Sequence, residues 1–587
     1  MKPSASFAKG SAAVHPRLFY IIKLLRDHSN GLVIIDDCLI EQKGVCTGMV
    51  IIPENVRVIA GSAFDNCQSL TSVRIPSSVV SIGENAFSHC SSLMSITIPE
   101  GTKSIGASAF SRCSSLVSAV ISRGVTNIGD YAFSHCGTLL STTMCEGLVS
   151  IGEGAFEDCT SLYSVTIPKS VMRIGVDAFK NAKFLNDHPD GFVIVGDCLI
   201  QYKGTSPGSV AIPDSVRVIA GRAFSGISLA SVTIPESVMS IGDWAFVGCD
   251  FTSITIPDGV TIIGDGAFDG CFSLSSVVIP NGVTRIGDYV FRDCRSLVSI
   301  TLPEGLTSIG KGAFSYCWSL SSVTIPECVT SIEDCAFSNC ALVEVCIPDS
   351  VTSIGEDAFR DCSRLVAATL PEGITSISKG LFYDCYSLSS VMIPEGVTHI
   401  GDSAFRSCSS LALMKMPKCI TSIGEYSFFY CSSLTSIKIP GDVMNIGIDA
   451  FGHCGSLVSI AVSEENRSYC SIDGVLYDKS QVSLIQWPGG KVGAVTIPEG
   501  VICIGSDAFS GCNMIDSLTL PSSLKNVGRE AFHECRSLKE VHISDLAAWC
   551  AIDFYGSDSN PLFYAERVYL NGSSCMTVGI RSRHNLI

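Results

Sequence analysis

SLTSVRIPSSVVSIGENAFSHC, residues Ser69–Cys90, is the stretch from which the architecture follows. Leu70, Val73 and Ile75 are apolar, and Ser72 and Arg74 alternate with the last two. That is the period of a strand with one buried face. Pro76 has no N–H for a ladder and ends the strand. Ser77 and Ser78 turn the chain, Val79 and Ile82 face inward, and Gly83 allows a bend. Phe87 is large enough to fill the interior of a coil, Cys90 closes it, and Leu93 begins the next. The run Glu84–His89 has room for a helical turn but not for a full helix.

The phrase recurs on a 22- or 23-residue ruler marked by nineteen Phe residues: Phe64 to Phe179, Phe224 to Phe451, then Phe509 and Phe532. A fixed period in this range marks a solenoid in which each unit buries its apolar side against its neighbours. The expectation is a stack of about twenty coils, about 4.8 Å apart. The 587 residues, 46% apolar and only 16% charged, suit such a stack, which has no single-core size limit. No uninterrupted apolar run approaches the roughly 18–20 residues of a membrane helix. A net charge of −17 argues against nucleic acid, whose phosphates need clustered Lys and Arg, and against anionic lipid.

Of the 29 cysteines, seventeen stand three residues after a ladder Phe, from Cys67 to Cys535. A free Cys is a small, well-buried hydrophobe. In a parallel stack these side chains form a column, but their parallel Cβ vectors do not favour the disulfide dihedral. A column of thiols inside the core is the reading, with disulfides the runner-up. Zinc is disfavoured, because no C-x-x-C pair repeats and no His stands at a matching ligand position.

The strand Leu-x-x-Val/Ile-x-Ile-Pro, the Ile-Gly turn and the Ala-Phe-x-x-Cys close, whole in Leu93–Cys113, resemble the BspA-like branch of the leucine-rich repeats. The likeness covers roughly residues 24–570. It implies a β-rich right-handed coil with a parallel sheet on the concave side and short turns or helical turns opposite. It also implies a surface or secreted protein that binds other macromolecules, and no catalytic residues. The organisation expected is an N-terminal extension (1–23), repeat arrays (24–179, 224–461 and 497–544), two irregular insert coils (180–223 and 462–496) and an irregular C-terminal segment (545–587). Both inserts read as hairpin-like excursions. The first has a copy 160 residues earlier: Gly191-Phe192-Val193-Ile194 matches Gly31-Leu32-Val33-Ile34. Leu18–Leu25 is too short for a secretion signal and carries Lys23, and no wall anchor is recognisable. An intracellular scaffold, or a fragment of a larger surface repeat protein, is therefore the alternative reading.

Little in the chain suggests chemistry. His89-Cys90, His135-Cys136 and His453-Cys454 are dipeptides whose first position elsewhere holds Arg112, Asp158 or Tyr316, and they read as rim residues. No metal, cofactor or phosphate site is expected. The outward strand positions are Ser then Thr, as in Ser95 and Thr97, a nearly uncharged strand-forming ladder. The anomaly is aromatic. Phe272, Trp318 and Tyr386 directly follow ladder cysteines, and Tyr316, Tyr383 and Tyr430 lie just before them. Exposed aromatics on a rim mark contact sites. These six are the candidate partner-binding residues of a monomeric protein whose partner is a protein or another extended macromolecule.

Overall fold

The Ser/Thr strands pair with one another from coil to coil, parallel and in register. Ser95–Ile98, Ser118–Ile121, Ser141–Met144 and Ser164–Thr166 align Ser95 with Ser118, Ser118 with Ser141, and Ser141 with Ser164. The computed structural model describes residues 31–205 and 208–577. The expected extension 1–23 and the last ten residues of the expected C-terminal segment, 578–587, lie outside them. The described chain forms two compact units: residues 31–205, 212–225 and 235–245, and residues 208–211, 226–234 and 246–577. Each is a β-solenoid.

In the first unit a second parallel ladder runs through the residue pair before each Ile-Gly bend. Val58–Ile59, Ser81–Ile82, Ser104–Ile105, Asn127–Ile128, Ser150–Ile151 and Arg173–Ile174 pair in sequence order. The third wall is a column of turns. The stretch read as a possible helical turn, Glu84–His89, contains no helix. Its alternate amides reach across to the next coil: Asn85 N–H donates to Ala107 O, Phe87 N–H to Ala109 O and His89 N–H to Ser111 O, at 2.7–2.9 Å. A helix would have spent those donors within its own coil. Inter-coil bonding wins because every coil offers the same acceptor at the same height.

Inside, Phe64 to Phe179 stack with centroids 4.8–5.4 Å apart and planes within 9°. In the second unit Phe246 to Phe451 stack at 5.2–5.9 Å. These near-parallel rings at about 5–6 Å are favourable beyond their area burial. The ladder thiols have a second role. Phe64 O accepts from Cys67 N–H and from the Cys90 thiol of the next coil, at 3.1 and 3.3 Å. The arrangement repeats through Cys317 to Phe291 O and Cys535 to Phe509 O, both 3.1 Å. All seventeen ladder cysteines are free; sixteen are buried and Cys67 is half-buried.

The inserts keep the column while changing the coil. Gly191–Val195 and Cys198–Lys203 form an antiparallel hairpin whose second strand joins the Ile-Gly ladder through Leu199 and Ile219. Tyr202 takes the ladder place: its N–H donates to Ala223 O at 2.8 Å and its ring lies 5.8 Å from Phe224. In the second insert Tyr469–Ile472 and Val475–Asp478 make the hairpin, and Trp487 bonds Ala508 O and stacks on Phe509 at 5.4 Å. Asn466, within a glycosylation sequon, is 1% exposed; its amide donates to Pro440 O and Val443 O and so pins the insert to the preceding coil. The last parallel strand, Arg567–Leu570, is covered by antiparallel Ser573–Thr577.

Candidate functional site: the aromatic rim of the second unit

The residue before each ladder Cys adopts a left-handed backbone: φ is 61° at Asn66, 58° at His89, 60° at Arg112 and 59° at Asp293. Only Gly, and to a lesser degree Asn, Asp and His, take this conformation easily. This is why His-Cys dipeptides recur, and the signal was present in the sequence as Asn, Asp, His and Gly at one repeat position. Tyr316 and Tyr430 occupy the same position at φ 63° and 59°. Bulky aromatics there run against backbone preference.

Of the six candidates, the structure brings Phe272 and Trp318 into one cluster. They stand after ladder cysteines two coils apart, 42% and 54% exposed, and Arg295 occupies the same position on the coil between. Its guanidinium carbon lies 4.6 Å from the Phe272 centroid and 4.8 Å from that of Trp318, within cation–π range. Asp293 holds the guanidinium with a paired contact, Nε to Oδ1 at 2.7 Å and Nη2 to Oδ2 at 3.1 Å.

Tyr383, two residues before its ladder Cys, and Tyr430, one before, belong to a second cluster. Arg360 and Arg406 lie 4.4 and 5.3 Å from the Tyr383 centroid, and Arg406 lies 4.9 Å from that of Phe429. Phe429 touches Tyr430 edge-on at 4.5 Å, and Tyr430 lies 4.4 Å from His453. Tyr386 is 47% exposed. Burial, then the Asp384 carboxylate, push its phenol above the ordinary value. Tyr316 is exposed as well. The sequence reading missed Arg295, Arg360 and Arg406. Each is an ordinary rim Arg until the coil spacing sets it between rings.

The ladder thiols offer no nucleophile. Burial first, against a small lowering from a neighbouring coil's backbone, pushes Cys362, Cys454 and Cys535 up to about 12. Thiolate chemistry needs the opposite shift. Among the described residues no group of three or more His, Cys, Asp and Glu is placed to hold a metal ion, and no helix is long and apolar enough to cross a membrane.

A β-solenoid of 22- and 23-residue units with parallel strands, an Ile-Gly bend and an Ala-Phe-x-x-Cys close is a leucine-rich repeat. The chain belongs to the family described as BspA type leucine-rich repeat region, matched over residues 57–186, 201–317, 284–412, 352–472 and 489–555. A leucine rich cell surface protein from Faecalibacterium prausnitzii is a similar solved structure, 29% identical over 63% of this chain and 98% of its own, with a TM-score of 0.41. A leucine-rich repeat protein from Bacteroides ovatus is 24% identical over 81% of this chain and 92% of its own, at a TM-score of 0.35. A Treponema pallidum leucine-rich repeat protein is 29% identical over 36% of this chain and 82% of its own, at 0.24. No curated protein matches the chain.

Proposed function

We propose that the protein is a non-catalytic binding module that holds a macromolecule, most simply another protein, across several coils of the second unit. It acts as a monomer and at the cell surface or in secreted form, as family resemblance suggests. The observation that carries the reading is the Phe272–Arg295–Trp318 stack, with Tyr316 and Tyr386 exposed on the same rim. Rigid aromatics with a braced arginine are the composition of contact hot spots. They lie on turns whose backbone bonding is complete without them, so the fold does not require them. Screening the whole chain against arrayed surface and secreted proteins, then comparing the parent with a Trp318→Ala/Tyr386→Ala variant by biolayer interferometry, tests it. Loss of binding with unchanged unfolding supports the rim. Equal binding of the two proteins to a confirmed partner would move the contact to the Ser/Thr sheet.

A further inference from the structure

Each insert coil lacks the ladder turn, and a notch opens in each unit where the flanking turns face one another. The two notches are flanked by equivalent turn positions and differ in charge. In the first, a cavity of 510 Å³, Asp177 stands two residues before its ladder Phe. It is paired with Lys180 of its own turn at 3.3 Å and with Arg222 of the next full turn at 3.2 Å. In the second notch the equivalent positions hold Asp449, Gly452 and Asp507. One cation is replaced by glycine and the other by a second carboxylate.

The consequence is a cavity of 440 Å³ in which neither Asp449 nor Asp507 makes an ion pair among the described residues, although Arg406, Arg529, His453 and His533 also line it. Asp449 is 6% exposed and its Oδ1 has no hydrogen-bond partner. A buried carboxylate oxygen left unpaired is costly. Glu530 adds a third acid, but Arg529 holds it at 2.9 Å. The remaining cation, Arg406, lies over the rings of Phe429 and Tyr426 at 4.9 and 5.6 Å and makes no ion pair with Asp449. His453 meets Ser510 Oγ through Nε2 at 3.0 Å and lies 4.0 Å from Glu534; His533 also lines the cavity. Burial, then Asp507, push Asp449 up to about 8, with Arg406 opposing; burial, then Glu530, push Asp507 up to about 6.

We propose that this notch binds an organic cation, an ammonium or guanidinium group, with Asp449 and Asp507 as its carboxylate partners and Tyr426 and Tyr430 among its walls. The first notch supplies the pattern: there the chain's own Lys180 and Arg222 meet the acid. Carboxylates with aromatic rings beside them recognise such a group through charge-assisted hydrogen bonds and ring faces. The cation comes either from a free amine or from a Lys or Arg side chain of a protein. The site stands apart from the Phe272–Trp318 rim; Tyr430 is the only candidate rim residue it includes.

Isothermal titration calorimetry on the whole chain tests it with n-butylammonium and arginine amide, with n-butanol as the neutral match and the peptide Gly-Gly-Arg-Gly-Gly as the protein-borne form. Saturable binding of a cation, none of n-butanol, and proton release at pH 7 as Asp449 ionises are expected. Asp449→Asn and Asp507→Asn should each weaken binding about tenfold or more, while Asp177→Asn in the first notch leaves it unchanged. Asn copies the protonated acid, and thermal unfolding checks that the variants fold. Tighter binding of the peptide than of arginine amide assigns the cation to a protein side chain; the reverse assigns it to a free amine. The proposal is overturned if neither cation saturates, if n-butanol binds equally, or if Asp449→Asn binds as the parent does. None of these readouts involves Trp318 or Tyr386, so failure here leaves the rim reading standing, and the converse.

Discussion

The turn column of the first unit and that of the second repeat the same left-handed bend before the ladder Cys, but on a few coils of the second the residue that follows is aromatic or arginine. After the ladder Cys the first unit has Gln68, Ser91, Ser114, Gly137 and Thr160. Some of these tie coil to coil, as Ser114 Oγ does by donating to Ser91 O and Thr160 Oγ1 to Gly137 O, both at 3.4 Å. At the same place the second unit has Phe272, Arg295, Trp318 and Tyr386 on four of its coils, and residues such as Ala341, Ser363, Ser409 and Gly455 on others. Main-chain bonds and the buried Phe and Cys columns carry the coil, so this position is free to vary. On the proposed reading, identity there reflects the surface and not the fold.

Three contrasts should hold if that separation is correct, and they are ordered by size. Phe133→Ala and Phe314→Ala remove equivalent buried rings and should each lower stability by about 3–5 kcal/mol. Denaturant unfolding reads both, and a much smaller loss in one would mean that the two columns are not equivalent. The notches should differ in their response to pH. Asp449 binds its proton more tightly folded than unfolded, so its contribution is largest below the ordinary Asp range and is lost as pH rises towards 8. Each tenfold gain in proton affinity is worth up to about 1.4 kcal/mol. Asp449→Asn should flatten the fall in thermal stability between pH 5 and 8 (on the order of a few kcal/mol), whereas Asp177→Asn should not. A parent protein whose stability does not fall over that range would remove Asp449 as an uncompensated acid. On the rim, Trp318→Ala with Tyr386→Ala should weaken a confirmed partner by about 2 kcal/mol and change stability by about 0.5 kcal/mol or less per site. Ser91→Ala and Ser114→Ala in the first unit should change neither.

A fourth expectation concerns both units alike. Cys317→Ala and Cys136→Ala lose a packed sulfur and a donor to a Phe carbonyl, a cost of about 1–2 kcal/mol each. Maleimide labelling of the folded parent should reach exposed thiols such as Cys328, Cys346 and Cys419 quickly, leave the buried ladder thiols slow, and approach the full thiol count on denaturation. Rapid native labelling of Cys317 would contradict its burial.

The repeat made the fold readable, because nineteen Phe and seventeen Cys on one ruler leave little choice of period. What escaped depended on neighbours 22 or 23 residues away and out of phase. Tyr202 and Trp487 fill the Phe column from inserts whose local sequence lacks the Ala-Phe phrase. Arg295 acquires meaning only between Phe272 and Trp318. Asn466 is a buried clasp whose partners lie on the preceding coil. The notch chemistry was hidden because Asp449 and Asp507 face one another across an insert of variable length, and no linear spacing announces that.

Bonding at the ladder turn points both ways along the stack. The Phe87 amide reaches forward to Ala109, and the Cys113 thiol reaches back to the Phe87 carbonyl. Each regular coil therefore presents one fixed socket and one fixed plug. Recombination between two copies of the unit, by unequal crossing-over, adds or removes whole coils and leaves each socket filled. A gain or loss out of step with the period would strand an amide and a carbonyl in the core. Array length is thus a trait that selection can alter in whole steps, and the length of the exposed faces can change between generations with no new folding problem to solve.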